Sequence, residues 1–424
     1  MAWDFETDPD FQRELDWIAA FVREEVEPLD AVLGGPWDIH APRFETLVRP
    51  LQQVVKERRL WACHLGPELG GRGYGQVKLA LMNEILGRSA FGPIVFGCQA
   101  PDSGNSEILA HYGTPQQKQQ WLQPLLDNRI VSCFAMTEPQ GGADPSVFTT
   151  RAVRDDRGWV INGEKWFASN ARYAAFFIVM AITDDSVSVH EGMSMFIVPA
   201  GAPGLQILHN SGCGDEPADT HAHLRFEDVR VDGDALLGEP GQAFAVAQVR
   251  LGGGRVHHAM RTIGQAQRAL DALCERALSR HTQGSRLADK QMVQEKIADS
   301  WIELEQFRLL VMRTAWRIDR FQDYRKVRKD IAAVKAVMPK VLHDIAARAL
   351  HVHGSIGASN DMPFAGLVNR SFQMGLADGP TEVHKITVAR QVLRGYLACA
   401  TVFPAYHRPT AAAAARAKFQ ERLR

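Results

Sequence analysis

The spacing of apolar residues changes period twice along this chain, and those two changes constrain the fold more than any single motif. Over residues 8–27, Phe11, Leu15, Ile18 and Val22 recur at helical spacing, behind Asp8 as a cap and Pro9 at the first helical position. Residues 43–57, 76–88 and 117–126 repeat the pattern, the last after Gly113-Thr114-Pro115. From about 133 to 245 the spacing becomes that of strands, as in Ala175-Phe176-Phe177-Ile178-Val179-Met180, Met195-Phe196-Ile197-Val198 and the run from Leu224 to Val231. After Gly238-Glu239-Pro240-Gly241 the helical period returns. It predicts helices at about 255–280, 289–318 and 327–353, with Val293, Ile297, Leu304, Val311, Ala315 and Ile318 on one face of the second and Pro339 kinking the third. Long antiparallel helices of this kind pack as a bundle. The pattern predicts an α+β multidomain chain: an N-terminal all-α domain (1–132), a middle β-domain (133–245), a C-terminal four-helix-bundle domain (246–400) and a tail (401–424). The tail, with alanines from Ala411 to Ala415, reads as helical or disordered.

Within the β-domain, residues 133–170 look like two edges of a pocket for one flat ligand. The apolar run Cys133-Phe134-Ala135-Met136 stops at Thr137-Glu138-Pro139, where proline cannot donate to a sheet, and Gly141-Gly142 then permits close approach by a ligand. Further on, Trp159-Val160-Ile161 reads as a strand, Asn162-Gly163 as a tight hairpin turn and Lys165-Trp166-Phe167-Ala168 as the returning strand, followed by the hydroxyl of Ser169.

Composition removes several classes. With 48 Lys+Arg against 49 Asp+Glu, the formal charge of -1 gives no global field for nucleic acid or an anionic membrane. Forty-six per cent hydrophobic residues over 424 positions suffice for two or three domains sharing one large core. The six cysteines are scattered without a C-x-x-C pair and read as reduced, buried thiols. The histidine pairs His221/His223, His257/His258 and His351/His353 lack an evident third metal ligand. Gly70-Gly71-Arg72-Gly73-Tyr74-Gly75 lacks the strand before it and the Gly-Lys-Ser/Thr after it that a phosphate cradle needs, so a mobile loop between helices is predicted. The acidic start, with no apolar signal core and no apolar run of spanning length, predicts a cytoplasmic protein that neither enters a membrane nor is secreted.

The two pocket stretches resemble the flavin-binding signatures of acyl-CoA dehydrogenases, worded close to "TEP-G-GSD" and "ING-K-WITN", and the order of domains is similar to that family along nearly the whole chain. The resemblance implies FAD as cofactor, with Thr137 on the flavin edge, Phe134 and Met136 lining the ring, and Phe167 with Ser169 on its other side. Arg280, Thr282, Gln283 and Gln291 look like the "R-x-T/S-F-G…Q" segment that reaches the FAD of a neighbouring subunit, with Gln283 in place of the usual phenylalanine. His351, Gly354 and Ser355 sit where the family has "Q-x-x-G-G-x-G", His351 replacing glutamine. A homodimer or homotetramer is therefore implied, supported by long apolar faces at 293–318 and 331–352 that need cover.

Leu376-Ala377-Asp378-Gly379-Pro380-Thr381-Glu382-Val383-His384 falls where most of the family has "Y-E-G-T-x-x-I". Asp378 is then the aligned catalytic base, Pro380 and Glu382 lie with the cofactor, and Ala143, Arg255 and Gly379 with the substrate. This wording, with the run from Leu251 to His258, is similar to the dehydrogenase module of multidomain mammalian members that carry it behind kinase-like regions. Relatives with their base on that upstream helix would have it at Gly254. The implied reaction removes an α-proton from an acyl-CoA thioester while hydride leaves the β-carbon for flavin N5. The product is a trans-2-enoyl-CoA, and electrons pass to an electron-transfer flavoprotein. Such a base is expected in an apolar pocket that raises its pKa above about 3.9, with the carbonyl oxygen polarised by the backbone N–H of the base or of its second neighbour. Other readings are a nitroalkane-oxidase-like or acyl-CoA-oxidase-like flavoenzyme, because Asp378 is an aspartate, and a nucleic-acid-associated relative, because the tail is basic. Asp378 also has the sequence setting of a helix cap before Pro380.

Overall fold

The computed structural model describes residues 6–33, 38–213, 216–399, 402–403 and 406–423. Its three-part organisation follows the change of period. Helices Pro9–Phe21, Arg49–Glu57, Gln76–Leu86 and Asp102–Tyr112 make the first part, a seven-stranded sheet the second, and long helices the third. Asp8 does cap the first helix, accepting from Phe11 N–H at 2.9 Å. Thr114 and Gln117 form a reciprocal capping box before the last helical run of the first part.

The Gly-rich loop is tethered and is no phosphate cradle. Asp319, from the far end of a bundle helix, accepts from the N–H groups of Gln76 at 2.5 Å and Val77 at 2.9 Å, so the helix N-terminus that an anion would use is already taken. A Cβ on Gly75 would lie 2.7 Å from an Asp319 oxygen, and Glu14 holds Arg72 and Tyr74 from the other side.

In the sheet, β4 (Phe176–Ile182) pairs with β5 (Met193–Pro199) on one side and, on the other, with β1 (Ser132–Ala135) and then β2 (Arg151–Asp155). The order continues through β3 (Gly158–Ser169) and β7 (His221–Val231) to β6 (Leu205–Ser211). β2 and β6 escaped the sequence reading because their side chains are largely exposed and leave no apolar alternation. Asn162-Gly163 is not a hairpin turn. β3 runs through it as one strand of 12 residues, and the β2–β3 hairpin closes instead between Asp155 and Gly158. Gly163 sits at a register shift with φ 142°, where a Cβ would lie 2.6 Å from the Cα of Thr150, so glycine serves a bulge pressed against the residue that leads into β2.

The bundle is built from Ala243–Ser279, Gln291–Phe321, Tyr324–His353, Phe364–Leu376 and Thr381–Leu393, with Pro339 inside the third. The first begins 12 residues before its predicted start at 255, because Ala243, Val246 and Ala247 bury against Ile108, Leu109, Phe176 and Met195. The apolar atoms form several cores, one per layer and one between layers, where the sequence suggested a single large one. The faces predicted to need a partner are covered within the chain: Leu304, Val311, Ala315, Ile318 and, opposite, Ile331, Met338 and Ile345 are buried. Exposed apolar residues on other sides of the bundle helices include Met292, Trp301, Ile302, Leu309, Val337, Phe372, Val383, Ile386 and Leu393. The alanine-rich tail is a helix, Arg408–Lys418, with no buried residue. Among the described residues all six cysteines are free; Cys63, Cys98 and Cys133 are buried, Cys213 and Cys274 half-buried, and Cys399 exposed. No helix among the described residues is long and apolar enough to cross a membrane.

Candidate active site

The two signature stretches are joined by a buried ion pair. Lys165 Nζ donates to Glu138 Oε1 at 2.7 Å and to the Met136 carbonyl at 3.0 Å, with the side chains 0% and 1% exposed. Glu138 also accepts from Thr149 N–H at 2.6 Å and Thr150 N–H at 3.1 Å, and Trp166 N–H donates to the Thr137 carbonyl at 2.8 Å. Burial pushes the Glu138 carboxyl up, but Lys165 and the Thr149 N–H more than offset it, so it stays below the usual range. Burial likewise lowers Lys165 to about 8 against the pull of Glu138. The pair therefore fixes the spacing between the edge carrying Thr137 and the strand carrying Phe167 and Ser169.

That strand is bent where it meets the cleft. Between Lys165 and Ala168 the β3–β7 register slips, and Phe167 takes φ 49°, a left-handed conformation uncommon for an aromatic residue. The bulge turns the Phe167 ring outward, 47% exposed, and leaves the buried Trp166 indole N–H without an acceptor. Phe134, Met136 and Thr137 are half-buried at the other edge. Gly141 and Gly142 differ in role. A Cβ on Gly141 would strike Val147 at 2.2 Å, whereas Gly142 has open space save Thr137 Cγ2 at 3.7 Å. A flat apolar surface rimmed by hydroxyls, an orphaned indole N–H and a bare glycine fits an isoalloxazine ring.

Asp378 lies across from this surface on the turn between the last two bundle helices, with φ 54° and Gly379 at φ 100°. It does not cap the following helix, whose N-terminus has no side-chain cap. The turn is instead pinned by its Asp378 carbonyl, which accepts from Arg255 Nε at 2.9 Å and His384 Nε2 at 3.2 Å. A Cβ on Gly379 would come within 3.1 Å of His384 Nε2. Freed from capping, the carboxylate points at His258 Nε2, 3.7 Å away, and at bare Gly254, whose added Cβ would be 3.8 Å from Oδ2. The predicted upstream position and the predicted base thus meet.

Two expectations about this aspartate need correcting. Burial does push the carboxyl up, but His258, Arg250, Arg255 and Lys335 together hold it below its ordinary value. The expected apolar surroundings are missing because three cations converge from two helices. Pro380, the second neighbour, has no N–H to polarise a carbonyl. The N–H groups of Asp378 and Gly379 are instead both uncommitted among the described residues.

Several residues that sequence reasoning passed over complete the pocket. Arg250 bonds Asn105 Oδ1 at 2.8 Å and lies over the Phe134 ring with its guanidinium carbon 4.0 Å from the centroid, linking the flat surface to the base. Glu107 and Tyr324 face the same helix. A Cβ on Gly253 would be 3.2 Å from Glu107 Oε2 and 3.6 Å from the Tyr324 hydroxyl, so the Gly252-Gly253-Gly254 run keeps a strip bare between Glu107 and Asp378. Burial pushes Glu107 up to about 7, with Arg250 opposing. Three consecutive glycines inside a helix, at about 1 kcal/mol each relative to alanine, were the available signal.

The remaining predicted residues are exposed. Ala143 and Ala377 are exposed, and Glu382 is exposed beyond Pro380. Arg280 just before the hairpin of His281–Thr282 with Ser285–Arg286, Thr282 and Gln283 on it and Gln291 after it are exposed, at the far end of the Ala243–Ser279 helix. His351, Gly354 and Ser355 are exposed at the same end, where Arg276 reaches the His353 carbonyl at 3.5 Å. Arg280 follows Arg250 by about 30 helical residues, roughly 45 Å along the helix. Of the histidine pairs, His221 bonds Ser169 and Glu216, and His223 bonds Glu164. Cys213, Glu216 and His221 offer ligand atoms within 4.8 Å of one another, but both His221 ring nitrogens are engaged in these bonds.

Comparison with known proteins bears on the family and the fold. The N-terminal, middle and C-terminal domains of acyl-CoA dehydrogenase match residues 9–129, 133–229 and 241–393. The chain is 40% identical over 365 residues to the Mycobacterium tuberculosis protein named probable acyl-CoA dehydrogenase FadE2, covering 85% of this chain and 88% of that one. It is 38% identical to acyl-CoA dehydrogenase family member 11 of Gallus gallus over 88% of this chain but only 49% of the longer protein. A presumed acyl-CoA dehydrogenase of Mycobacterium abscessus superposes with a TM-score of 0.86 at 35% identity, covering 93% of this chain and all of the other.

Proposed function

The chain belongs to the acyl-CoA dehydrogenase family, and we propose that it oxidises an acyl-CoA thioester to the trans-2-enoyl-CoA and passes the electrons to an electron-transfer flavoprotein. FAD, when bound, supplies the acceptor for the hydride. The observation that carries the reading is the Asp378 carboxylate, uncapped and facing the bare Gly254 across from the Phe134–Ser169 surface. Phe134, Met136, Thr137, Phe167 and Ser169 would hold the flavin ring, with Gly142 letting it approach. Asp378 would take the α-proton, while the uncommitted N–H groups of Asp378 and Gly379 polarise the thioester oxygen. Arg255 acts through the turn, by holding the Asp378 carbonyl. Arg280, Gln291 and the 351–357 turn would complete the FAD site of a partner subunit.

The bare glycine strip, and Ala377 where an aromatic is usual, favour an acyl chain branched or hydroxylated near the reacting carbons. The test is anaerobic reduction of the yellow enzyme by a panel of acyl-CoAs. Branched or hydroxylated thioesters are expected to reduce it faster than butyryl- or octanoyl-CoA, and the reverse order would reject the assignment. A second reading is favoured by the cations around Asp378: a carboxylate held low is a weak base and suits a more acidic C–H, as in a nitroalkane. Oxygen uptake without an added acceptor separates the two.

A further inference from the structure

Ser169, at the flavin side of the cleft, does not stand alone. Its Oγ lies 2.9 Å from His221 Nδ1, and His221 Nε2 lies 3.0 Å from Glu216 Oε2. Glu216 Oε2 also accepts from Cys213 N–H at 3.1 Å. Cys213 is held from the bundle, where Gln373 Nε2 donates to its carbonyl at 2.6 Å. The His221 ring packs beside Phe167, centroids 5.8 Å apart, with the ring 17% and the carboxylate 18% exposed. Burial raises the Glu216 carboxyl, but the bond to His221, the Cys213 N–H and Arg370 keep it below the ordinary range, so it is an ionised, accept-only partner.

The donor and acceptor roles follow from that. Because Glu216 can only accept, His221 places a hydrogen on Nε2, and in the neutral ring Nδ1 keeps its lone pair. Nδ1 then accepts from the Ser169 hydroxyl. The one hydrogen of Ser169 is spoken for, and what remains for a ligand is oxygen lone pairs.

We propose that Glu216 and His221 are positioning residues that make Ser169 a hydrogen-bond acceptor toward bound FAD, and so raise the reduction potential of the flavin. The inference rests on the FAD reading above. A flavin reduced by two electrons carries a ring N–H that the oxidised form lacks. An acceptor at the ring edge therefore binds the reduced form better, and a free hydroxyl donor the oxidised form. The Phe364–Leu376 helix that bears Gln373 runs directly into Asp378, so the same helix braces the relay and leads to the base.

The test is a reductive titration of purified enzyme without any acyl-CoA, so its outcome is independent of substrate and of Asp378. His221→Phe keeps an aromatic ring beside Phe167 and removes the acceptor. It is expected to lower the ratio of reduced to oxidised FAD affinity about tenfold, which for a two-electron couple is about 30 mV. His221→Gln, whose amide can donate to Glu216 and accept from Ser169, should stay within about threefold of wild type. In a Ser169→Ala background, His221→Phe should have no further effect, since the pair acts as one unit. If His221→Phe releases FAD, titrating the apoprotein with oxidised and with reduced FAD gives the same ratio, and the reduced form must lose more affinity. An unchanged ratio, equal loss of both forms, or a His221 effect that persists without Ser169 would overturn the proposal. A colourless protein that takes up no FAD at all would instead reject the cofactor assignment beneath it.

Discussion

At the residue scale the pocket is governed by which carboxyl groups keep their protons. Asp378 is held ionised by cations, whereas Glu107, buried and opposed by Arg250 alone, is pushed up to about 7 from 4.5. Between those two values the folded state keeps a proton that the unfolded chain has released, so Glu107 makes stability fall as pH rises through that window. Glu107→Gln removes the penalty. The variant is expected to be more stable than wild type at pH 8 by up to about 3 kcal/mol, and no different near pH 4, by denaturant titration at both pH values. Asp378→Asn should fold and hold FAD, because the side chain caps nothing. Its flavin should be reduced by acyl-CoA on the order of 10²–10⁴ times more slowly. Near wild-type reduction by that variant would move the base elsewhere, with Glu382 next to test.

At the scale of elements, the Lys165–Glu138 pair decides whether the cleft has two edges in register. Removing one partner of a buried pair leaves the other charged and unpaired, which costs about 3–5 kcal/mol. Lys165→Met is therefore expected to lower thermal stability by that order and to reduce FAD content, read by the ratio of flavin to protein absorbance. Adding Glu138→Leu should recover only part of the loss, since the N–H groups of Thr149 and Thr150 would then lack their acceptor. Full recovery would mean that the pair is a simple ionic contact and does not organise the turn.

At the scale of the whole molecule, the segment from Arg280 to Gln291 and the turn at residues 351–357 lie at the end of the bundle away from the cleft. On the proposed reading they would complete a flavin site on another subunit. The bare apolar residues Met292, Trp301, Ile302 and Leu309 sit on one of the helices that would make the contact. Arg280→Ala is expected to weaken FAD binding roughly ten- to hundredfold, the size of one charge-assisted hydrogen bond, without changing the melting curve of the apoprotein. Light scattering of the wild type should give a dimer or tetramer. A monomer that retains FAD would remove the shared-site argument.

The sequence by itself determined what depends on neighbours along the chain. Helical and strand periods set the order of the three parts, the capping of the first helix at Asp8, and the placing of Thr137, Phe167 and Ser169 on two edges. It also named Asp378 as the base and Gly254 as the upstream position without a carboxylate, through a family resemblance and not through spacing; that the two adjoin is a tertiary fact. Tertiary structure alone decided what depends on residues far apart in sequence. Whether Asn162-Gly163 turned or ran on depended on β7 pairing along the whole of β3. Whether the Gly-rich loop could take a phosphate depended on Asp319, some 240 residues away. The charge state of Asp378 depended on Arg250, Arg255 and Lys335 arriving from two helices, because electrostatic interaction follows distance in space while sequence records only distance along the chain.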